Sequence, residues 1–422
     1  MTSPAAPIGL PALEARLRQD LDYLELPAKA WVPRRQAEGV PVVDVVIIGA
    51  GMSGLAIAAS LRLLGIDNIR VLDRAPAGQE GPWVTFARME TLRSPKGLAG
   101  PALGLPSLTF RAWFEAQHGT AAWEALGKIP RGQWMDYLGW YRRVMAVPVE
   151  NGIAVSLLRP RTDELVGVET SAGEILARRA VLASGRDGMG GPFVPEIARG
   201  IDRRFWAHTR DEIDFAALRG RRVGVVGAGA SAMDNAATAL EAGAVSLELF
   251  VRRAALPRVN KFTGIGSPGV VHGFAALPDD WKWRFLHHVL GAQTPPPRDS
   301  TLRVSRHPGA RLHLSSPILG LAERDRALRV ETPKGAFELD FLIFGTGFGV
   351  DATLRPELRL VAPQIAAGAT ASPRGRARSR RSWRPRRTSP PTSASRNGSP
   401  APARRWPAST ASPIRRPSAT AS

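Results

Sequence analysis

Two glycine-rich turns carry the clearest chemical signal in this sequence. The first reads Gly49-Ala50-Gly51-Met52-Ser53-Gly54 and the second reads Gly227-Ala228-Gly229-Ala230-Ser231-Ala232, and each follows an apolar, β-branched run. The first glycine permits a sharp strand-to-helix turn, the second lets backbone approach a pyrophosphate, and the third position lets helix and strand pack closely. Free N–H groups at the start of the next helix then receive the phosphate charge. Both turns are therefore predicted to bind dinucleotides, through Gly49, Gly51, Ser53 and Gly54 in the first and Gly227, Gly229, Ser231 and Ala232 in the second.

The residues after the next strand of each unit distinguish the two cofactors. Asp73, followed by Arg74, lies twenty-two residues after Gly51, a spacing at which the carboxylate accepts the hydroxyl hydrogens of an unmodified ribose. Arg252 and Arg253 stand at the corresponding place in the second unit and suit a ribose 2′-phosphate. We expect FAD at the first site and NADPH at the second, with a solvated pair of arginines as the alternative interpretation of the second.

The surrounding elements predict an α/β fold with two Rossmann-like dinucleotide-binding domains, in which the FAD domain is interrupted by the NADPH domain. Residues 173–185 and 335–347 are similar apolar segments that each end at a glycine, so they mark the two crossings between domains. The expected boundaries are an N-terminal helix and linker (1–41), the first part of the FAD domain (42–185), the NADPH domain (186–340), the return to the FAD domain (341–365) and a tail (366–422).

Aromatic residues are concentrated between Asp73 and Val144. Trp134, Tyr137 and Tyr141 are spaced for one face of a helix. We expect an inserted helical layer that buries its own aromatic face, in preference to a substrate-binding box.

Composition limits the function classes further. The 422 residues include no cysteine, which excludes disulfides, thiolate metal sites and a redox dithiol; we expect no metal site. There is no long apolar run and no signal-peptide pattern, so we expect a cytoplasmic protein without membrane insertion. Thirteen arginines in residues 366–422 account for most of the net charge of +20 and leave the preceding chain at only +7.

The order of four motifs resembles that of the class B flavoprotein monooxygenases over residues 42–351. Besides the two fingerprints, Gly81-Pro82-Trp83 is similar to the family's GGxW turn near the flavin, and Gly345-Thr346-Gly347-Phe348 is similar to its return motif. The resemblance implies that Trp83 and Gly347 contact the first cofactor. It also implies that NADPH reduces FAD and that a C4a-peroxyflavin formed with O₂ oxygenates a small ketone, amine or sulfide.

Two departures from the family pattern concern its signature motif and its GGxW turn. The family's signature is FxGxxxHxxx(F/Y/W), and His208 is the candidate for its histidine. Four residues before His208 the sequence has Arg204 instead of glycine, and four residues after it has Glu212 instead of an aromatic residue. His208 is therefore a weak catalytic candidate, and a structural role is the better interpretation. Pro82 replaces the second glycine of the GGxW turn. The monooxygenase subclass and the oligomeric state therefore stay open.

Alternative functions remain at this point. A disulfide reductase is excluded by the absence of cysteine, but an electron-transfer reductase without a dithiol is not. Specific nucleic-acid binding by the arginine-rich tail is disfavoured, because only Trp383 and Trp406 could stack on bases there. The tail lacks lysine and acidic residues altogether, as expected of a segment translated from GC-rich coding DNA in a shifted reading frame. We expect the tail to be disordered. A truncated, inactive flavoprotein is therefore a further alternative.

Overall fold

The computed structural model describes residues 6–186, 188–263 and 267–365, so the expectation of a disordered tail over 366–422 falls outside the described residues. The helices are α1 (Leu10–Tyr23), α2 (Met52–Leu63), α3 (Phe110–Ala125), α4 (Arg131–Val144), α5 (Ala230–Glu241), α6 (Pro268–Gly273), α7 (Asp279–Ala292) and α8 (Arg298–Ser305). The strands are β1 (Arg35–Ala37), β2 (Val40–Ile48), β3 (Ile69–Asp73), β4 (Val149–Asn151), β5 (Val155–Pro160), β6 (Val166–Thr170), β7 (Gly173–Leu182), β8 (Gly190–Pro192), β9 (Trp206–His208), β10 (Arg222–Val226), β11 (Ser246–Phe250), β12 (Ala310–His313), β13 (Gly320–Arg324), β14 (Ala327–Thr332), β15 (Gly335–Leu339), β16 (Phe341–Phe344) and β17 (Phe348–Val350).

The first sheet has the strand order β4-β3-β2-β7-β6-β5, with β1 added alongside β2. β2 is central because its β-branched residues are buried from both sides; Val46 and Ile47 have no exposed surface. It pairs in parallel with both β3 and β7, so Ile48 lies opposite Leu72 on one side and Leu182 on the other. This register places the carboxyl ends of the three strands together, at the edge where ligands bind in such sheets.

A helical layer packs on this sheet and buries its own aromatic side chains. Tyr137 and Tyr141 of α4 are fully buried, and Trp134 on the same helix face is nearly so. The Tyr137 hydroxyl donates a hydrogen bond of 2.8 Å to the carbonyl of Leu108, which satisfies its polar atom within the core. The aromatic spacing thus marks a packing layer, as the sequence predicts.

The second sheet is parallel throughout and has the order β12-β11-β10-β16-β9. Val226 at the end of its central strand lies opposite Phe250 on one side and Phe344 on the other. The expected return to the FAD domain at residue 341 is therefore too early by one strand. β16 belongs to the second sheet because its apolar side chains are buried between β10 and β9, and the chain leaves this sheet only at Gly345.

The two crossings between domains are joined to each other. β8 follows the first crossing and β17 follows the second, and they pair antiparallel as a two-stranded ribbon. The Thr346 hydroxyl donates to the carbonyl of Phe193, and the Phe193 N–H donates to the carbonyl of Gly347 at 2.9 Å. In the described part of the chain, no helix combines the length and apolarity needed to cross a membrane.

Candidate functional site

The first glycine-rich turn is shaped by two glycines that no other residue could replace. Gly49 has a φ of +109°, and a Cβ on it would lie 2.5 Å from the carbonyl oxygen of Ala183 at the end of β7. A Cβ on Gly54 would lie 1.8 Å from the carbonyl oxygen of Gly49. These two glycines bring α2 against the sheet.

Gly51 in the same turn faces open space instead. The heavy atom nearest to a Cβ placed on it is the Cα of Gly81, 3.9 Å away. α2 begins at the next residue, and Ser53 in its first turn is exposed. The free N–H groups of this helix start and the bare backbone of Gly51 form a cradle that a pyrophosphate fits and a side chain would fill.

Asp73 lies beside this cradle at the end of β3. Its Oδ2 accepts a hydrogen bond from the N–H of Ala50 and its Oδ1 accepts one from the N–H of Ala75, both at 2.8 Å. The two bonds fix the carboxylate next to the turn, while each oxygen keeps a lone pair for a ribose hydroxyl. Arg74 follows with an exposed side chain.

The turn that contains Trp83 lies over the first fingerprint. A Cβ on Gly81 would be 3.8 Å from the Cα of Gly51, and the Trp83 ring meets that of Trp134 edge-on, with centroids 6.2 Å apart. Arg131, which the sequence did not single out, donates from Nη1 to the carbonyls of Trp83 and Ala87, at 2.6 and 2.9 Å. Arg131 of α4 thus fixes the backbone of Trp83 beside the first glycine-rich turn.

The second glycine-rich turn repeats the geometry of the first. Gly227 has a φ of +111°, and a Cβ on it would lie 2.5 Å from the carbonyl oxygen of Gly345 at the end of β16. A Cβ on Gly229 would meet no heavy atom within 4 Å. The exposed Ser231 follows in the first turn of α5. This open backbone is a second cradle, suited to the pyrophosphate of NADPH.

Arg252 and Arg253 follow β11 at the same end of the second sheet. The Arg253 carbonyl accepts a hydrogen bond from the N–H of Ser315 at 2.8 Å, which fixes its backbone. The Arg252 side chain is exposed and that of Arg253 is half-buried. Among the described residues neither guanidinium forms an ion pair with a carboxylate, so their charge is available to a phosphate.

His208 and Gly347 form an internal contact between the second sheet and the return segment. The His208 Nε2 lies 3.0 Å from the carbonyl oxygen of Gly347, and Nδ1 accepts the N–H of Arg210 at 3.1 Å. Burial lowers the pKa of His208 and keeps the imidazole neutral. Because both ring nitrogens have protein partners, His208 has no free nitrogen for proton transfer, in agreement with the structural interpretation.

A cleft of about 320 Å³ separates the two domains beside the start of α5. Its walls come from five separate parts of the chain: residues 89–93, Lys128, Ala230, Asn260 and residues 294–303. Four cationic side chains line it together with the acidic Glu90 and Asp299, and three of these cations, Arg93, Lys128 and Arg303, form ion pairs with carboxylates. No sequence motif identifies this cleft, because its residues come together only when the domains pack.

The sequence matches the profile of the pyridine nucleotide-disulphide oxidoreductase family over residues 46–261. It is also 46% identical over 364 residues to an FAD-dependent urate hydroxylase of Xanthomonas campestris pv. campestris, an alignment that covers 85% of this chain and 76% of that protein.

Solved structures share the fold at low sequence identity. An ornithine hydroxylase from Pseudomonas aeruginosa superposes with a TM-score of 0.62 and 17% identity, over 76% of this chain and 86% of that one. An L-lysine 6-monooxygenase from Pseudomonas syringae gives a TM-score of 0.62 and 20% identity, over 77% and 85%. The expected arrangement of two dinucleotide-binding domains is therefore confirmed.

Proposed function

We infer the function from one premise: the chain belongs to the pyridine nucleotide-disulphide oxidoreductase family, and within it to the class B flavoprotein monooxygenases. The protein is an FAD- and NADPH-dependent monooxygenase that acts on a small molecule and O₂. Disulfide reduction through a dithiol of its own is excluded, because the chain contains no cysteine.

Urate, or an oxopurine closely related to it, is the substrate we propose. The observation that carries this assignment is the 46% identity over 364 residues to a urate hydroxylase. Oxygen would then be transferred to a ring carbon. The sequence motifs alone led us to expect a ketone, an amine or a sulfide as the substrate.

The proposed reaction places one oxygen atom of O₂ in a new C–O bond of the substrate and releases the other as water. NADPH supplies two electrons, and the second hydrogen of the water comes from a solvent proton, so the overall balance needs no further reductant. FAD, when bound, supplies the chemistry of hydride acceptance and oxygen activation.

The residues of the chain bind and orient the two cofactors. Gly51 and the start of α2 would hold the pyrophosphate of FAD, with Asp73 on its ribose. Gly229 would do the same for NADPH, with Arg252 and Arg253 on its 2′-phosphate. The arrangement supports separate roles for the two domains, in which the first would bind FAD and the second would bind NADPH.

The test follows four quantities with the FAD-loaded protein: NADPH oxidation, O₂ uptake, urate loss and hydrogen peroxide. We expect urate to accelerate NADPH oxidation, with equal amounts of NADPH, O₂ and urate consumed and little peroxide released. Xanthine, a simple ketone and a simple sulfide serve as comparison substrates. If urate leaves the rate unchanged and all the O₂ becomes peroxide, urate is not the substrate.

A further inference from the structure

Asp234 is a carboxylate buried inside the fingerprint helix of the second domain. It lies one turn after Ala230, where α5 begins, and its side chain is only 6% exposed. Its Oδ1 accepts a hydrogen bond of 2.6 Å from the Ser300 hydroxyl of α8, and its Oδ2 forms an ion pair with Arg93. Because an unpaired buried carboxylate would cost several kcal/mol, both partners are needed to keep it in place.

Arg93 comes from the other domain and is connected to the turn beside the flavin cradle. Residues 90–92 run antiparallel to residues 129–131, with backbone hydrogen bonds of 2.8 and 3.1 Å. Arg131 at the end of this short pairing donates to the carbonyls of Trp83 and Ala87. These hydrogen bonds and the backbone of residues 90–93 therefore connect the Trp83 turn with the ion pair at Asp234.

Other charged contacts between the domains include two ion pairs and the cation–π contacts of Arg88 with Phe215 and Arg210 with Phe86. Lys128 and Asp299 form an ion pair of 2.5 Å, but their side chains are 44% and 52% exposed. Arg303 lies 3.7 Å from Glu90, whose side chain is 66% exposed. Exposed ion pairs contribute about 0 to 1 kcal/mol, so the buried ion pair at Asp234 is the strongest of these three ion pairs.

We propose that Asp234 is a positioning residue for hydride transfer. With Arg93 and Ser300 it locks α5, and hence the NADPH cradle, against the segment that leads to the Trp83 turn of the FAD cradle. Hydride transfer is sensitive to misplacement of its two partners by about 1 Å, so loosening this contact slows flavin reduction. The inference rests on the two-cofactor part of the proposed function and is independent of urate.

The kinetic test compares Asp234→Asn, Arg93→Gln and Ser300→Ala with the parent protein, all loaded with FAD. The limiting rate of flavin reduction by NADPH is measured without oxygen or substrate. We expect it to fall by about tenfold or more in the first two variants, with less effect in the third, because a misplacement of about 1 Å can cost as much as 100-fold. The apparent affinity for NADPH should stay within about twofold, because the cradle at Gly229 is untouched. Reduction by dithionite, which needs no second domain, should be unchanged.

A matched control is available within the first domain. Glu150→Gln removes the ion pair between Arg70 and Glu150, whose two hydrogen bonds are both 2.6 Å long. This pair joins β3 to β4 and does not touch the second domain. The limiting reduction rate of Glu150→Gln should equal that of the parent.

A second readout measures domain geometry without any reaction. Because the chain has no cysteine, Ala172→Cys and Val245→Cys add one labelling site to an exposed position of each domain. The spin-label distance distribution should be narrow in the parent and in Glu150→Gln. It should broaden or shift when Asp234→Asn or Arg93→Gln is added.

The outcomes separate this inference from the proposed function. An unchanged limiting rate and an unchanged distance distribution in a folded, FAD-loaded Asp234→Asn or Arg93→Gln protein would overturn it. Should Asp234→Asn not fold, Arg93→Gln decides, since its arginine is one-third exposed and tolerates replacement better. If the parent is not reduced by NADPH, the function is wrong, and the label distances alone decide whether Asp234 fixes the domains.

Discussion

Ala232 on the second fingerprint helix lies so close to Gly345 that a Cβ on Gly345 would be 2.5 Å from the Cβ of Ala232. The first unit reverses the pair: Gly54 takes the helix position, and a Cβ on it would be 3.5 Å from the Cβ of Ala183. That distance is ordinary van der Waals contact, and Gly54 is required instead because its Cβ would lie 1.8 Å from the carbonyl oxygen of Gly49. Alanine is tolerated in the second fingerprint because the strand that faces it ends in glycine.

This contact predicts a partly compensating pair of substitutions. Gly345→Ala should lower the free energy of unfolding by about 1 to 3 kcal/mol through overpacking. Adding Ala232→Gly should recover part of that loss, but not all, because the new Cβ would still lie 2.8 Å from the Cα of residue 232 and 3.0 Å from the carbonyl oxygen of Val226. Urea unfolding of the two single variants and the double variant measures the coupling. Strictly additive effects would contradict the contact.

The two kinds of glycine in the first turn predict two different defects. Gly51→Val should fold but lose FAD, since its side chain would fill the pyrophosphate cradle. Gly49→Ala should instead impair folding, because its Cβ would lie 2.5 Å from the carbonyl oxygen of Ala183. Flavin absorbance per folded protein, with circular dichroism as the folding measure, separates the two. Normal flavin content in Gly51→Val would remove the assignment of the FAD site.

Arg252 and Arg253 predict the choice between NADPH and NADH. Replacing both with alanine should raise the Michaelis constant for NADPH much more than that for NADH, since each charge-assisted contact to the 2′-phosphate is worth about 1.5 to 3 kcal/mol. Initial rates with both nucleotides give the preference ratio. Arg306→Ala, a change at an exposed arginine on α8's C-terminal side, is the control and should leave the ratio unchanged. An unaltered ratio in the double variant would rule out this role.

The sequence predicts the two glycine-rich strand–turn–helix units well because their information is local. Each requires a buried strand, a turn with glycines at fixed spacing and a helix, all within about thirty residues. The turn at Gly49 and the turn at Gly227 therefore lie where the spacing places them. The same reasoning identifies the aromatic face of α4 as a packing surface.

The domain contacts could not be predicted in this way because they join distant residues. Arg93 and Asp234 are 141 positions apart, and neither belongs to a recognised motif. Asp234 gives one usable signal, since it is the only charged residue before the last position of α5, a helix rich in alanine. The error at residue 341 has a related cause: an apolar strand such as β16 has no feature that tells which of two parallel sheets it joins.

The contact between His208 and Gly347 predicts how stability depends on pH. Burial lowers the pKa of His208 below its ordinary value of 6.5, so as the pH falls through that value the unfolded chain takes up a proton that the folded protein does not. This residue therefore does not reduce the free energy of unfolding above about pH 6.5. Below that pH it reduces the free energy of unfolding by up to about 1.4 kcal/mol per pH unit, until the pH reaches the pKa of His208 in the folded protein. His208→Gln should be less stable than the parent at pH 7.5, because it loses hydrogen bonds to the return segment, but its stability should decline less between pH 6.5 and 5. Urea unfolding at a series of pH values gives the free energy of unfolding of the parent and of the variant. The difference between the two at each pH isolates the contribution of His208 from those of the other histidines. Curves that stay parallel over that range would mean that His208 does not take up its proton differently in the two states.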